Sequence, residues 1–130
     1  MILSEDDEYI YPDELFISCK PPYPEDKWRE YSYAFQITNI GTELGRAIEQ
    51  KKDNTHPMNN SALAEVIWQL EYTLRDPKNK DKLKELNKAK ANVYKYFSSS
   101  WYWYLEKRII RFFDSYLYEY AEEASTKKEE

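Results

Sequence analysis

From Tyr94 to Tyr120 the large apolar residues recur at the repeat of an α-helix, and no other stretch constrains the fold as strongly. Placed at about 3.6 residues per turn, Tyr102, Leu105, Ile109, Phe113, Tyr116, Leu117 and Tyr120 share one broad face, as wide as a core-facing stripe needs to be. Tyr104, Lys107, Arg108, Arg111 and Tyr118 fall on another face. The same stretch is charged against the rest of the chain. Between Lys78 and Arg111 there are ten Lys or Arg and three acids, a local charge of +7, whereas the whole chain carries −5 and the remainder therefore −12. A cationic, ring-rich segment inside an acidic protein is the main functional clue.

The other helical signals lie upstream. Leu63, Val66, Ile67, Leu70 and Leu74 mark a helix from Ser61 to Arg75, which Asp76-Pro77 ends. Asp76 is placed to cap the next helix, with Pro77 in its first turn, running to about Phe97; Ser98-Ser99-Ser100 precede a further helix from Trp101 to Tyr120. Asn59-Asn60-Ser61 matches a glycosylation acceptor but reads better as a helix cap. Residues 24–52 carry two patterns. Pro24-Glu25-Asp26 resembles a first helical turn, and Ile37, Ile40, Leu44 and Ile48 keep a helical stripe. Tyr31, Tyr33, Phe35 and Ile37, however, alternate with polar or small residues as in a strand. The expectation is an extended segment to about Asn39 and a helix over 42–52, followed by a loop over 51–60. Leu15–Cys19, stopped by Pro21-Pro22, reads as a short strand. The predicted fold is thus mainly α with a minor N-terminal β element (α+β): one compact helical domain over 1–130, with 1–12 as a flexible acidic arm and 122–130 as a flexible acidic tail. Five regularly spaced strands are not to be found, which excludes an OB-fold.

Composition narrows the chemistry. Two glycines cannot build a phosphate-cradling loop, and one Cys with one His cannot hold a structural zinc. A Ser–His–acid triad would need His56, which sits in a predicted loop beside Pro57 with no nucleophile elbow. Cys19 reads as a small buried residue. Glu5-Asp6-Asp7-Glu8 lacks the loop geometry of a hard-cation site. The expectation is no enzyme, no cofactor and no metal, although a metal-dependent nuclease built from scattered acids stays open. No run of about 18 apolar residues and no secretory leader are seen, and the lone cysteine fits a reducing compartment, so an intracellular protein without membrane association is expected.

Thirteen Tyr, four Trp and five Phe exceed what a core of this size must bury, so some of that ring surface belongs at a boundary with another subunit or a ligand. Cations beside flat rings suit a single-stranded nucleic acid: phosphates meet Lys and Arg, and any base stacks on an aromatic face. On this reading Lys107, Arg108 and Arg111 contact phosphates, Lys88 and Lys95 steer from outside, and Tyr104 and Tyr118 stack on bases, with Trp101 or Trp103 in place of either. The alternative is a solvated charged face with all rings packed inside, in a structural or interaction protein such as a helical capsid subunit or an inhibitor of a host protein. A sequence-specific regulator, suggested by the helix pair after Ser61, is a third class.

The runs Tyr94-Lys95-Tyr96-Phe97 and Trp101-Tyr102-Trp103-Tyr104, with the acidic end Glu122, Glu123, Glu129 and Glu130, resemble the small proteins of rod-shaped viruses of thermophilic archaea (rudiviruses). Among these the chain is most similar, in size and layout, to the non-canonical single-stranded-DNA-binding proteins. The resemblance implies a homodimer with a DNA-holding groove, a place in viral genome replication or repair beside an annealing protein and a nuclease, and the host cytoplasm as its setting. The acidic tail would then compete for the groove or recruit a basic replication or annealing partner.

Overall fold

The computed structural model describes residues 24–56, 59–98 and 100–129, leaving aside the side chains of 100, 101 and 126–129. Six α-helices occur in this part: α1 (Glu25–Arg29), α2 (Tyr33–Lys52), α3 (Ser61–Arg75), α4 (Leu83–Ser98), α5 (Glu106–Asp114) and α6 (Leu117–Glu129). Two 3-10 segments, Pro77–Lys82 and Ser100–Leu105, lead into α4 and α5. No strand occurs among the described residues, so the fold is helical as expected. The expected strand Leu15–Cys19 and the arm over 1–12 lie outside them.

The extended segment expected up to Asn39 is instead helical, made of α1 and the first two turns of α2. Ser32 begins that helix as its N-cap, accepting the Phe35 N–H on Oγ at 3.1 Å while donating its own hydroxyl to Glu123 of α6 at 2.6 Å. Ile37, Ile40, Leu44, Ala47 and Ile48 are all buried, so burial at helical spacing outweighed the local alternation. The helix ends at Lys52, where the sequence placed its end. Asn54, at φ 62°, closes it with a Schellman turn: Thr55 N–H reaches the Gln50 carbonyl and Asn54 N–H the Lys51 carbonyl, both at 3.0 Å.

Caps set the other boundaries. Asn60 accepts the Leu63 N–H on Oδ1 and donates to the Ala47 carbonyl, both at 3.0 Å, fixing the start of α3 against α2. Asp76 takes the Lys78 N–H on Oδ1 at 3.1 Å and opens the first 3-10 segment. Its other oxygen joins a buried polar cluster. Gln36 donates to Asp76 at 3.0 Å and to the Trp28 carbonyl at 2.9 Å; Asn79 donates to Gln36 Oε1 at 2.9 Å; the Trp28 indole donates to Thr73 Oγ1 at 2.8 Å. Lys78 closes the cluster with an ion pair to Asp76. Burial works against the Asp76 carboxylate, but hydrogen bonds from Lys78 and Gln36 outweigh it and hold its pKa below the ordinary aspartate value.

Helix α2 is the spine. It packs most extensively on α3 on one side and on α5 and α6 on the other, and α4 lies against α3 and α5. Facing residues give the directions. Tyr33 lies near Tyr116, Gly41 near Phe113, and Lys52 near Glu106, so α2 and α5 run antiparallel. Glu85 reaches Tyr116 and Tyr96 reaches Glu106, so α4 and α5 are antiparallel as well. The single helix expected over 101–120 is broken twice. Ser100–Leu105 is 3-10 with a kink at Tyr102 (φ −90°, ψ 26°), and Ser115 ends α5. Leu105, Ile109 and Phe113 keep their expected burial, whereas Leu117, expected on the core face, is exposed because the register resets after Ser115.

Candidate nucleic-acid interface

The outer side of the seam between α4 and α5 is a groove of about 480 Å³. Residues three and four apart share a helix face, so Glu85, Lys88, Ala89 and Asn92 form the α4 wall. Arg108, Arg111, Phe112 and Ser115 form the α5 wall by the same spacing, with Ile109 between them. Three of the cations singled out in the sequence, Lys88, Arg108 and Arg111, therefore meet across one groove. Lys95 is exposed two turns beyond Lys88 on α4, on the stripe through Asn92, and Lys107 is exposed one turn before Arg111 on α5.

These five cations are available to a ligand. The ion pairs among the described residues engage Arg29, Arg46, Lys52, Arg75, Lys78 and Lys90, and none engages Lys88, Lys95, Lys107, Arg108 or Arg111. Glu85 is the one acid lining the groove. It is held at the groove's end, where one of its oxygens accepts the phenol hydroxyls of both Tyr33 and Tyr116 at 2.7 Å. Burial, reinforced by Glu85, pushes the Tyr33 pKa far above the ordinary tyrosine value and that of Tyr116 up to about 12.

The rings divide differently from expectation. Tyr104 and Tyr118 are exposed, at 50 % and 75 %, yet neither lines the groove. The break at Ser100–Leu105 uncouples Tyr104 from the α-helical register of Arg108 and Arg111, and the break at Ser115 does the same to Tyr118. The groove's own ring is the half-buried Phe112, which belongs to neither of the two faces expected from the sequence. Its position, four residues after Arg108 and next to Arg111, was a usable signal. Trp101 belongs to the 3-10 segment, with its side chain outside the described residues.

Trp103 is 72 % exposed and lines a second hollow, of about 310 Å³, at the end of the bundle. Lys51, Lys52 and Asn54 from the end of α2, Tyr96 from α4 and Glu106 from α5 complete it. Sequence reasoning missed this grouping, which joins the end of α2 to the distant stretch from Tyr96 to Glu106. Lys52 pairs with Glu106 at 2.9 Å, and Glu106 also accepts the Tyr96 hydroxyl at 3.0 Å. The hydrogen bond from Lys52, aided by Tyr96, keeps the Glu106 carboxyl below its ordinary pKa against its own partial burial. Lys51 donates to the Tyr96 carbonyl, with its ammonium 3.6 Å from the centre of the Tyr96 ring. Its burial lowers its pKa to about 8, and Glu106 offsets part of that effect.

Among the described residues there is no group of three His, Cys, Asp or Glu side chains arranged to hold a metal ion, and no helix is long and apolar enough to cross a membrane. No protein family, curated protein or solved structure matches the chain.

Proposed function

We propose that this protein binds single-stranded DNA with little base preference, and that the groove between α4 and α5 holds the strand. The observation that carries this reading is the convergence of Lys88, Arg108 and Arg111, unpaired by the protein's own acids, around the partly exposed ring of Phe112. Three cations match the phosphates of one strand, and a ring between them offers any base a stacking face. Lys95 and Lys107 extend the positive potential along both walls. A duplex coat would need a broad cationic surface, which a chain of net charge −5 does not supply.

On the resemblance of its aromatic runs and acidic end to the rudivirus proteins, this activity would serve viral genome replication or repair in the host cytoplasm. Two copies joined by their α5–α6 surfaces, where Ile110, Leu117 and Tyr118 are exposed, would set two grooves side by side. The acidic carboxyl end would recruit a basic replication or annealing protein. That exposed apolar surface also favours a second reading, a viral structural or interaction protein without nucleic-acid binding.

Replacing Arg108 and Arg111 together by Ala separates the two. Each phosphate contact to a single strand contributes about 0.7 to the slope of log affinity against log salt, so the slope should fall by about 1.4. Affinity should fall for all sequences alike. Unchanged affinity and slope in a folded double variant would remove the groove from the site.

A further inference from the structure

The groove between α4 and α5 is cationic, but one side chain lining it is neither a cation nor a ring. Asn92 sits in the interior of α4, half-buried on the groove wall. Asparagine is a poor residue inside a helix, because its amide competes with the backbone for hydrogen bonds. Here the amide makes no hydrogen bond to any described residue, so neither packing nor capping accounts for it. The other polar groups of the groove cannot do what this amide can. Lys88, Arg108 and Arg111 only donate. Glu85 only accepts, and one of its oxygens already takes two phenol hydroxyls. The Ser115 hydroxyl is donated to the Phe112 carbonyl at 2.6 Å. Among the described residues lining the groove, Asn92 therefore carries the one uncommitted donor beside an acceptor.

The Watson–Crick edge of every base has the same make-up, a donor next to an acceptor: N3–H beside O4 in thymine, N6–H beside N1 in adenine. An amide turned half a rotation about its terminal bond exchanges its oxygen and its NH2 group, so it fits either order. Such a contact recognises a base without choosing among bases. It does choose between strands, because a duplex uses that edge for the complementary strand and an unpaired strand leaves it open.

We infer that Asn92 tells an unpaired strand from a duplex, by hydrogen bonding to the Watson–Crick edge of a base held in the groove. The inference rests on the single-stranded DNA reading and adds to it a source of selectivity that is independent of charge. Position supports the assignment. Lys88 lies one turn before Asn92 on the same stripe of α4, and Arg108, Arg111 and Phe112 line the wall of α5. A strand whose phosphates meet these cations, with a base on the Phe112 ring, brings its base edges into the same space of about 480 Å³. The cations fix the strand in place, and the amide reads what the strand carries.

The test compares oligo-dT with an oligomer of equal length built from N3-methylthymidine throughout, whose edge has lost its donor while backbone, charge and ring are kept. Every base is replaced because the protein can shift along a uniform strand. Both are titrated by fluorescence anisotropy against the unaltered chain and two variants whose helicity is first shown to match it. Asn92→Leu keeps the size of the side chain without its amide, and Asn92→Ala places a better helix former there. The unaltered chain should bind the methylated strand about 3- to 10-fold more weakly than oligo-dT, the effect of one hydrogen bond to the base. Both variants should bind the two strands alike, near the affinity of the unaltered chain for the methylated one. Their salt slope should be unchanged, since no phosphate contact is lost. Their preference for oligo-dT over a duplex of equal length should narrow by the same factor. A methyl effect that persists in both variants, or is absent from the unaltered chain, overturns the assignment to Asn92. The groove then still stands if the Arg108/Arg111 double variant loses oligo-dT affinity and salt slope. An unaltered chain that binds no oligo-dT overturns both.

Discussion

The contact between α2 and α5 places one wall of the groove, and the two glycines of the chain test it. Both lie inside α2, where a glycine costs about 1 kcal/mol relative to alanine through the freedom it retains in the unfolded chain. A β-carbon on Gly45 would meet nothing within 4 Å, so Gly45→Ala should gain about 0.5–1 kcal/mol. A β-carbon on Gly41 would stand 3.1 Å from the β-carbon of Phe113, with the Phe113 carbonyl group at 3.8 Å. Phe113 is 1 % exposed and cannot retreat without moving α5. Overpacking of this kind costs about 1–3 kcal/mol, which cancels or exceeds the gain in propensity. The two variants should therefore differ by about 1–3 kcal/mol. For a chain of this length that is about 3–5 °C in melting temperature per kcal/mol. Urea unfolding followed by circular dichroism supplies the free energies, and an unchanged m-value shows that the comparison is two-state. If Gly41→Ala stabilises as much as Gly45→Ala, α2 and α5 do not approach at this point and the groove's geometry loses its support.

Three further outcomes follow from the polar clusters and the groove. Asp76→Ala should destabilise by about 2–4 kcal/mol in the same unfolding assay, because it leaves one buried Gln36 amide hydrogen without its acceptor, breaks the ion pair to Lys78 and removes the cap of the first 3-10 segment. Tyr116 titrates near 12 in the folded chain against an ordinary 10.0, so its contribution is complete below pH 10 and is lost as pH rises towards 12. Stability measured across that window should fall, and Tyr116→Phe should make the fall shallower; an equal slope in both proteins would show that Tyr116 is not held by burial and Glu85. Phe112→Leu, which keeps an apolar side chain while removing the ring, should weaken oligo-dT binding by roughly 1 kcal/mol or more if bases stack there, with salt dependence unchanged.

The parts of the fold that could be read in advance were those where local chemistry and packing agree. Helix α3 has an apolar stripe, Asn60 in front of it and Asp76-Pro77 behind it, and each signal acts within one or two turns. The start of α2 was misread because Tyr31, Tyr33, Phe35 and Ile37 alternate, while the partners that decide the matter are remote: Tyr116 and Tyr120 for the rings, Glu123 for the Ser32 cap. The break at Ser100–Leu105 was hinted at by three serines, but the kink at Tyr102 depends on how the rings settle on α4. The cationic set was legible because Lys and Arg stay exposed in almost any packing. Which rings join it was not, since each helix break rotates everything beyond it. That is why Phe112 replaces Tyr104 and Tyr118 in the groove and Trp103 moves to a hollow of its own.

The most direct measurement is a titration of the intact protein with fluorescently labelled oligo-dT and with a duplex of equal length, each at two salt concentrations. A single-stranded site of three to five phosphate contacts predicts tight binding of oligo-dT that weakens as salt rises, with a log–log slope of roughly −2 to −3.5, and little binding of duplex. Equal affinity for duplex, or oligo-dT binding indifferent to salt, would contradict the account.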